Sequence, residues 1–146
     1  MDYRSFDGTV YVRLDTGEEI IGSLLEVCRK EKIASAVFSG IGGCSRVEIQ
    51  TFIPENGTFE TRVITGTLEM VALNGNVTSI GEGEYNYHAH ALLTYIEDGE
   101  HRVAGGHLKS AAALYTSEIE LRPVTGGVIC GKHDPETGTR LWSFED

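Results

Sequence analysis

The sequence predicts an α+β fold in which one main α-helix packs against a largely antiparallel β-sheet of about seven or more strands. Only one long stretch, residues 16–32, has the apolar spacing of an amphipathic helix. Most of the remaining chain is short segments rich in β-branched and aromatic residues, separated by Asp-Gly, Asn-Gly and Gly-Gly turn signals. One helix among many strands is expected to cover one face of the sheet.

Length and composition set the outer limits of the prediction. The chain has 146 residues and is 40% hydrophobic, which suits a single domain over residues 1–146 with its own core. Twelve Lys and Arg against 22 Asp and Glu give a formal net charge of -10. A surface this acidic repels a phosphate backbone, so binding to DNA without a partner is not expected.

Cysteine usage and the first residues predict a cytoplasmic protein. Cys28, Cys44 and Cys130 are odd in number and lack C-x-x-C spacing, and residues 1–8 have neither the basic nor the apolar region of a signal peptide. No stretch approaches the roughly 20 apolar residues of a membrane span, so no membrane partner is expected.

The first elements are a strand and the helix. Thr9–Leu14 alternates as a strand, and Thr16 with Glu19 has the spacing of a capping box at a helix start. The cations Arg29, Lys30 and Lys32 suit its end. The apolar stripe that should face the sheet comprises Ile20, Ile21, Leu24, Leu25, Val27 and Cys28.

The glycine run at residues 40–43 interrupts the next apolar segment, Ala34–Ser39. A glycine-rich loop can bind phosphate through backbone N–H groups, but this one lacks a following lysine and helix, so we favour a tight bend between strands. Val47–Ile53 and Thr58–Ile64 then form a hairpin around the turn at residues 54–57.

Glu69 is an anomaly in the strand Thr67–Leu73, because it alternates with Val71 and Leu73. A buried carboxylate requires a partner or a metal. Two interpretations stay open: the face is exposed at this point and Glu69 is solvated, or Glu69 lies in or beside the histidine site. Asn74-Gly75 then indicates a turn or kink before the strand resumes.

A hairpin with four of the five histidines follows. Tyr85–Ile96 is one strand, Asp98-Gly99 is the two-residue loop, and His101–Leu108 returns. With that loop, the residue numbers of the two members of each directly opposed pair add up to 197. A three-residue loop would change the sum by one and move the histidine of the returning strand to the other face.

In this register His90 faces His107, and His88 lies on the same face because side chains alternate along a strand. Three neutral imidazoles suit zinc or another divalent first-row metal, with an open position for water or substrate. The alternative is histidines that alternate without binding anything. His101 and His133 fall outside the group. Ala112–Leu121 is the last long strand, and Trp142 is expected to pack back on the domain.

Five segments together resemble one known family. They are YVRLDTGEEI (11–20), SGIGGCSRVEI (39–49), GTLEMVALNGNV (66–77), HAHALL (88–93) and VAGGHL (103–108). The chain is similar to the PPC domain (plants and prokaryotes conserved), which is also described as a predicted DNA-binding domain of unknown function. The resemblance implies a homotrimer, a fold similar to that of acetolactate decarboxylase, and a metal site at the histidines matching His88, His90 and His107.

Acetolactate decarboxylase holds zinc with three histidines and a glutamate, which draws attention to Glu69. Plant relatives also carry an AT-hook of the Arg-Gly-Arg-Pro type, which this chain lacks. We therefore expect a metal-binding protein acting on a small-molecule substrate by lyase or hydrolase-type chemistry, with Glu69 as general acid/base or extra ligand. The alternatives are a DNA-associated regulatory module with a structural metal, and a trimeric scaffold.

Overall fold

A computed structural model describes residues 1–81, 83–136 and 139–145. Within these ranges the chain forms eight strands and one helix, as expected for a mostly antiparallel α+β protein. The elements are β1 (Asp2–Phe6), β2 (Thr9–Asp15), α1 (Ile20–Glu31), β3 (Ser35–Ile53), β4 (Thr58–Gly81), β5 (Glu84–Glu97), β6 (Glu100–Pro123), β7 (Val128–His133) and β8 (Arg140–Glu145).

Six strands form one antiparallel sheet in the order β1-β2-β6-β3-β4-β5. β5 also pairs with the first part of β6, so β6, β3, β4 and β5 close into a ring. β7 and β8 form a separate hairpin, attached where the Ile129 N–H donates to Ser35 Oγ. Trp142 in β8 is half exposed and contacts Phe144 edge to face. It therefore does not pack back into the domain as a buried anchor, contrary to the expectation from the sequence.

The sheet has two chemically different faces. The inner face carries most of the core, and α1 covers it with Ile20, Ile21, Leu24, Val27 and Cys28. The opposite side, here called the outer face, is marked by a row of successive cross-strand partners: Arg4, Tyr11, Glu120, Ser39, Asn74 and His90. Directly opposed residues share a face, so these six side chains all lie on the outer face.

The helix begins later than its capping-box spacing suggested. Glu19 is the N-cap, and its side chain accepts a hydrogen bond from the Gly22 N–H. Thr16 instead accepts from the Tyr115 N–H, which fastens the loop to β6. The predicted apolar stripe is otherwise confirmed, with Leu25 partly buried. No helix in the described ranges is long and apolar enough to cross a membrane.

The glycine run at 40–43 is not a bend between two strands but an irregular part of the single strand β3. A Cβ on Gly42 would lie 2.5 Å from Ser117 Cα, and one on Gly43 would lie 2.4 Å from the Leu114 carbonyl oxygen. Register shifts on both sides of these residues mark the same region. The glycines therefore allow β3 and β6 to approach closely.

Asn74-Gly75 is likewise not a turn, because β4 runs without interruption from Thr58 to Gly81. A register shift between Met70 and Ala72 makes Val71 an extra residue in the strand. Glu69 and Val71 are therefore exposed, whereas Leu73 beyond the bulge is buried. Glu69 does not lie on an apolar face, and the solvated interpretation describes its position.

Candidate metal centre

The histidine hairpin forms with the predicted loop and register. Asp98 (φ 53°) and Gly99 (φ 78°) adopt the left-handed conformation of a type I′ turn. Across it Glu97 pairs with Glu100, Ile96 with His101, and His90 with His107, as the sum of 197 requires. His88 and His90 are exposed on the outer face, and His107 is half buried there.

Three ring nitrogens converge on one point. His88 Nε2 lies 3.2 Å from His90 Nε2 and 3.2 Å from His107 Nδ1. The ligand atoms of the three residues are all within 4.8 Å of one another. Each ring nitrogen has either one proton or one lone pair, so His88 Nε2 can make only one good hydrogen bond here. A cation would satisfy all three nitrogens at once.

The separations fit a first-row metal. Zinc binds imidazole nitrogen at about 2.0–2.1 Å in tetrahedral geometry, which places two nitrogen ligands about 3.3 Å apart. The two contacts at 3.2 Å are close to this value. Three protein ligands leave a fourth position, the arrangement typical of catalytic rather than structural zinc.

The environment favours the neutral, metal-binding form of the His90 and His107 rings. Burial, reinforced by the neighbouring histidines, lowers the pKa of His90 and of His107 below the ordinary value. The Phe59 ring contacts His107 edge to face, with centroids 5.5 Å apart, and also packs at a tilt against Phe52, with centroids 5.3 Å apart. Phe59 therefore orients His107 from the β3–β4 hairpin, and Phe52 supports Phe59.

The sequence profile of the Plants and Prokaryotes Conserved (PCC) domain, also abbreviated PPC, matches residues 1–125. The chain belongs to this family. A comparison of this chain with curated proteins finds no match. The resemblance seen in the sequence is therefore confirmed at the level of the family.

Solved structures extend the likeness over nearly the whole chain. A PPC protein of Pyrococcus horikoshii is 31% identical, with a TM-score of 0.79 and coverage of 97% of this chain and 93% of that one. The metal-containing protein of Archaeoglobus fulgidus is 29% identical, with a TM-score of 0.78 and coverage of 97% and 96%. A protein of Ralstonia eutropha JMP134, for which DNA binding has been suggested, is 25% identical, with a TM-score of 0.83 and coverage of 97% and 94%.

The other residues singled out in the sequence lie apart from the three histidines. His101 faces Ile96 near the turn, and His133 ends β7. Glu69 pairs with Thr94, four residues along β5 from His90, a separation of roughly 13 Å at the rise of a strand. The PCC chain thus does not bring Glu69 into the group of converging ligands, and its role in catalysis stays a prediction.

Sequence reasoning missed two residues beside the histidines. Asn74 lies directly opposite His90, and Asn76 directly opposite His88, in the neighbouring strand β4. Their alternation with Gly75 and Val77 was a usable signal, but Asn-Gly indicates a turn when it is considered alone. Phe59 was likewise missed, because a hairpin contact with His107 has no local pattern.

Proposed function

We propose that this PCC protein binds a divalent first-row metal, zinc first among them, through His88, His90 and His107. The observation that carries the proposal is the convergence of three imidazole nitrogens on one hairpin, with His88 Nε2 3.2 Å from each of the other two. The metal-containing relative from Archaeoglobus fulgidus supports it. A metal in this position supplies a Lewis acid that polarises a carbonyl or activates a water molecule.

The site is proposed to act on a small-molecule substrate by lyase or hydrolase-type chemistry. Its ligands are held by paired strands, so they are fixed before a substrate arrives. We also propose that the fold is similar to that of acetolactate decarboxylase. Glu69 is retained as a proposed acid/base. Because Glu69 is about 13 Å from His90 in the same chain, we expect Glu69→Gln to leave the metal content unchanged.

The assembly is proposed to be a cytoplasmic homotrimer of a single domain that spans residues 1–146. Several apolar side chains on the strands are exposed, among them Ile96, Val103 and Tyr115, and an interface with a second copy of the chain would bury such surface. The buried thiols of Cys28 and Cys44 suit a reducing compartment. Light scattering should give about three times the chain mass of 15.9 kDa, and the mass of one chain would contradict the trimer.

A second candidate is a DNA-associated regulatory module in which the metal is structural. The relative from Ralstonia eutropha, for which DNA binding has been suggested, favours this candidate. The net charge of -10 opposes it, because few phosphate contacts would release counterions. We expect no useful affinity for random duplex DNA at physiological salt. Submicromolar, salt-sensitive binding in a titration would favour the regulatory function instead.

Elemental analysis of the purified protein tests the metal site. His88→Ala, His90→Ala and His107→Ala should each weaken metal binding by more than about 100-fold, since loss of a mere outer-shell partner already weakens it by about 10–100-fold. His101→Ala and His133→Ala are the matched controls and should keep the metal. If His101→Ala removes the metal while His107→Ala does not, the proposed site is wrong.

A further inference from the structure

Two asparagine side chains form one wall of the histidine site. Asn74 and His90 are directly opposed, as are Asn76 and His88. Opposed Cβ atoms are separated by about 4.5–5.5 Å, and all four side chains lie on the outer face. The two amides therefore border the space in which a molecule bound at the open metal position would sit.

Neither amide is used by the fold. Within the described residues, no hydrogen bond or other polar contact involves the side chain of Asn74 or Asn76. Other polar side chains near the site are already engaged, such as Gln50, whose Nε2 donates to Thr61 Oγ1. The asparagines thus offer a free N–H donor and a free carbonyl acceptor on the same side of the histidines.

A groove begins at Asn74 and extends away from the metal site. It has a volume of about 690 Å³ and crosses the outer face over β4, β3, β6 and β2 towards β1. Asn74 lines it and is also the direct cross-strand partner of His90, so the groove borders the metal site at this residue. Its apolar lining is contributed by side chains of the outer face, namely Phe6, Tyr11, Ile41, Val71 and Ala72.

We propose that Asn74 and Asn76 are positioning residues for the substrate of the metal site, and that the groove beyond Asn74 holds the apolar body of that substrate. The proposal rests on the metal-binding function above. The substrate class is a small molecule with a metal-ligating oxygen at one end, a polar group beside it for the amides, and an uncharged, largely apolar body.

The charges in the groove disfavour an anionic body. Glu118 and Glu120 project from the same face of β6 into the groove. In the described part of the chain neither carboxylate takes part in an ion pair, whereas Arg4 and Arg13 are paired with Asp2 and Asp15. The groove lining thus has three carboxylates, Asp2, Glu118 and Glu120, against the two guanidinium groups of Arg4 and Arg13, and a negative charge on the body of the substrate would meet this excess of negative charge.

The test uses the protein loaded with Co²⁺ and two hydroxamate probes, followed by the absorption change of the bound metal. Acetohydroxamate reaches only the metal and the amides, whereas 3-phenylpropanohydroxamate also extends into the groove. We expect the longer probe to bind at least about 10-fold more tightly, because its phenyl group leaves water. A longer probe with a terminal carboxylate should lose this gain.

The asparagines are tested with the same probes. Asn74→Ala and Asn76→Ala should weaken both probes by about 3–10-fold with Co²⁺ content unchanged. Asn56→Ala removes hydrogen bonds from Thr58 within the β3–β4 turn, so it should lower stability but leave both probe affinities unchanged. Asn76→Asp keeps the shape of the side chain but adds a negative charge. It should tighten Co²⁺ and weaken the anionic probes, opposite directions that a purely structural residue would not produce.

Each failure has its own meaning. A protein that takes up no Co²⁺ overturns the proposed function and this proposal together. Normal Co²⁺ uptake with unchanged probe affinity in both alanine variants overturns the positioning role alone. Equal affinity for the short and long probes, or no effect of Val71→Asp on the longer one, overturns the role of the groove.

Discussion

Gly75→Ala tests how tightly the strand behind the metal site is packed. A Cβ on Gly75 would lie 2.4 Å from Phe38 Cζ and 2.6 Å from the His88 carbonyl oxygen. Phe38 is only 3% exposed, so its ring cannot withdraw into solvent. Overpacking costs about 1–3 kcal/mol, and the reduced freedom of the unfolded chain offsets at most about 1 kcal/mol. Because both contacts are severe, we expect a net loss of about 2 kcal/mol.

This loss should appear as a fall in Tm of about 4–8 °C. Moving the His88 backbone also displaces a ligand, so metal affinity should fall by about 10-fold, as for lost outer-shell support. Gly81→Ala in the same strand is the control, since the nearest atom to its Cβ would be 3.9 Å away.

A double-mutant cycle identifies the clash itself. Phe38→Leu removes the ring atoms that the new methyl meets, so the stability loss of Phe38→Leu with Gly75→Ala should be smaller than the sum of the two single losses by about 1 kcal/mol. An unchanged Tm in Gly75→Ala, or strict additivity in the cycle, would refute the reasoning.

Two further predictions concern the fold. Glu19→Ala removes the side-chain acceptor for the Gly22 N–H at the helix start and for the Ala111 N–H in β6. The free energy of unfolding, measured in urea, should therefore fall by about 1–2 kcal/mol, and an unchanged urea midpoint would contradict this. Burial raises the pKa of the Cys28 and Cys44 thiols to about 11, so both should resist iodoacetamide at pH 8 until urea unfolds the chain. Since the unfolded thiols ionise near pH 8.5–9, stability should fall as the pH rises from there towards 11, and rapid alkylation of the folded protein would refute the assignment.

Elements with local signals could be predicted from the sequence. The apolar stripe of α1 is set by helix periodicity, and the register of the histidine hairpin is set by the loop Asp98-Gly99. In both cases the residues that decide the structure are neighbours in sequence. Periodicity and turn chemistry are therefore sufficient for three of the residues in the candidate site.

The parts that could not be predicted depend on distant contacts. Gly42 and Gly75 look like turn residues, but they are required by Ser117 and Phe38, which are far away in the chain. The bulge at Val71 changes which residues of β4 face inward, so alternation alone left two interpretations of Glu69 open. β1 was missed because it is mostly exposed and polar, as an edge strand can be.

The position of His107 is fixed in two ways, and a turn insertion separates them. Besides facing His90, His107 pairs with Gln50 of β3, and Leu108 pairs with Ile49. Leu108 is buried in the observed register, with only 2% of its surface exposed. A shift of β6 by one residue would move Leu108 to the outer face and turn Lys109 towards the core. One glycine inserted between Asp98 and Gly99 should therefore bulge within the loop, leaving the metal content unchanged by elemental analysis. Loss of metal from a folded insertion variant would show that the turn alone sets the register, and that the β3 pairing does not hold His107 in place.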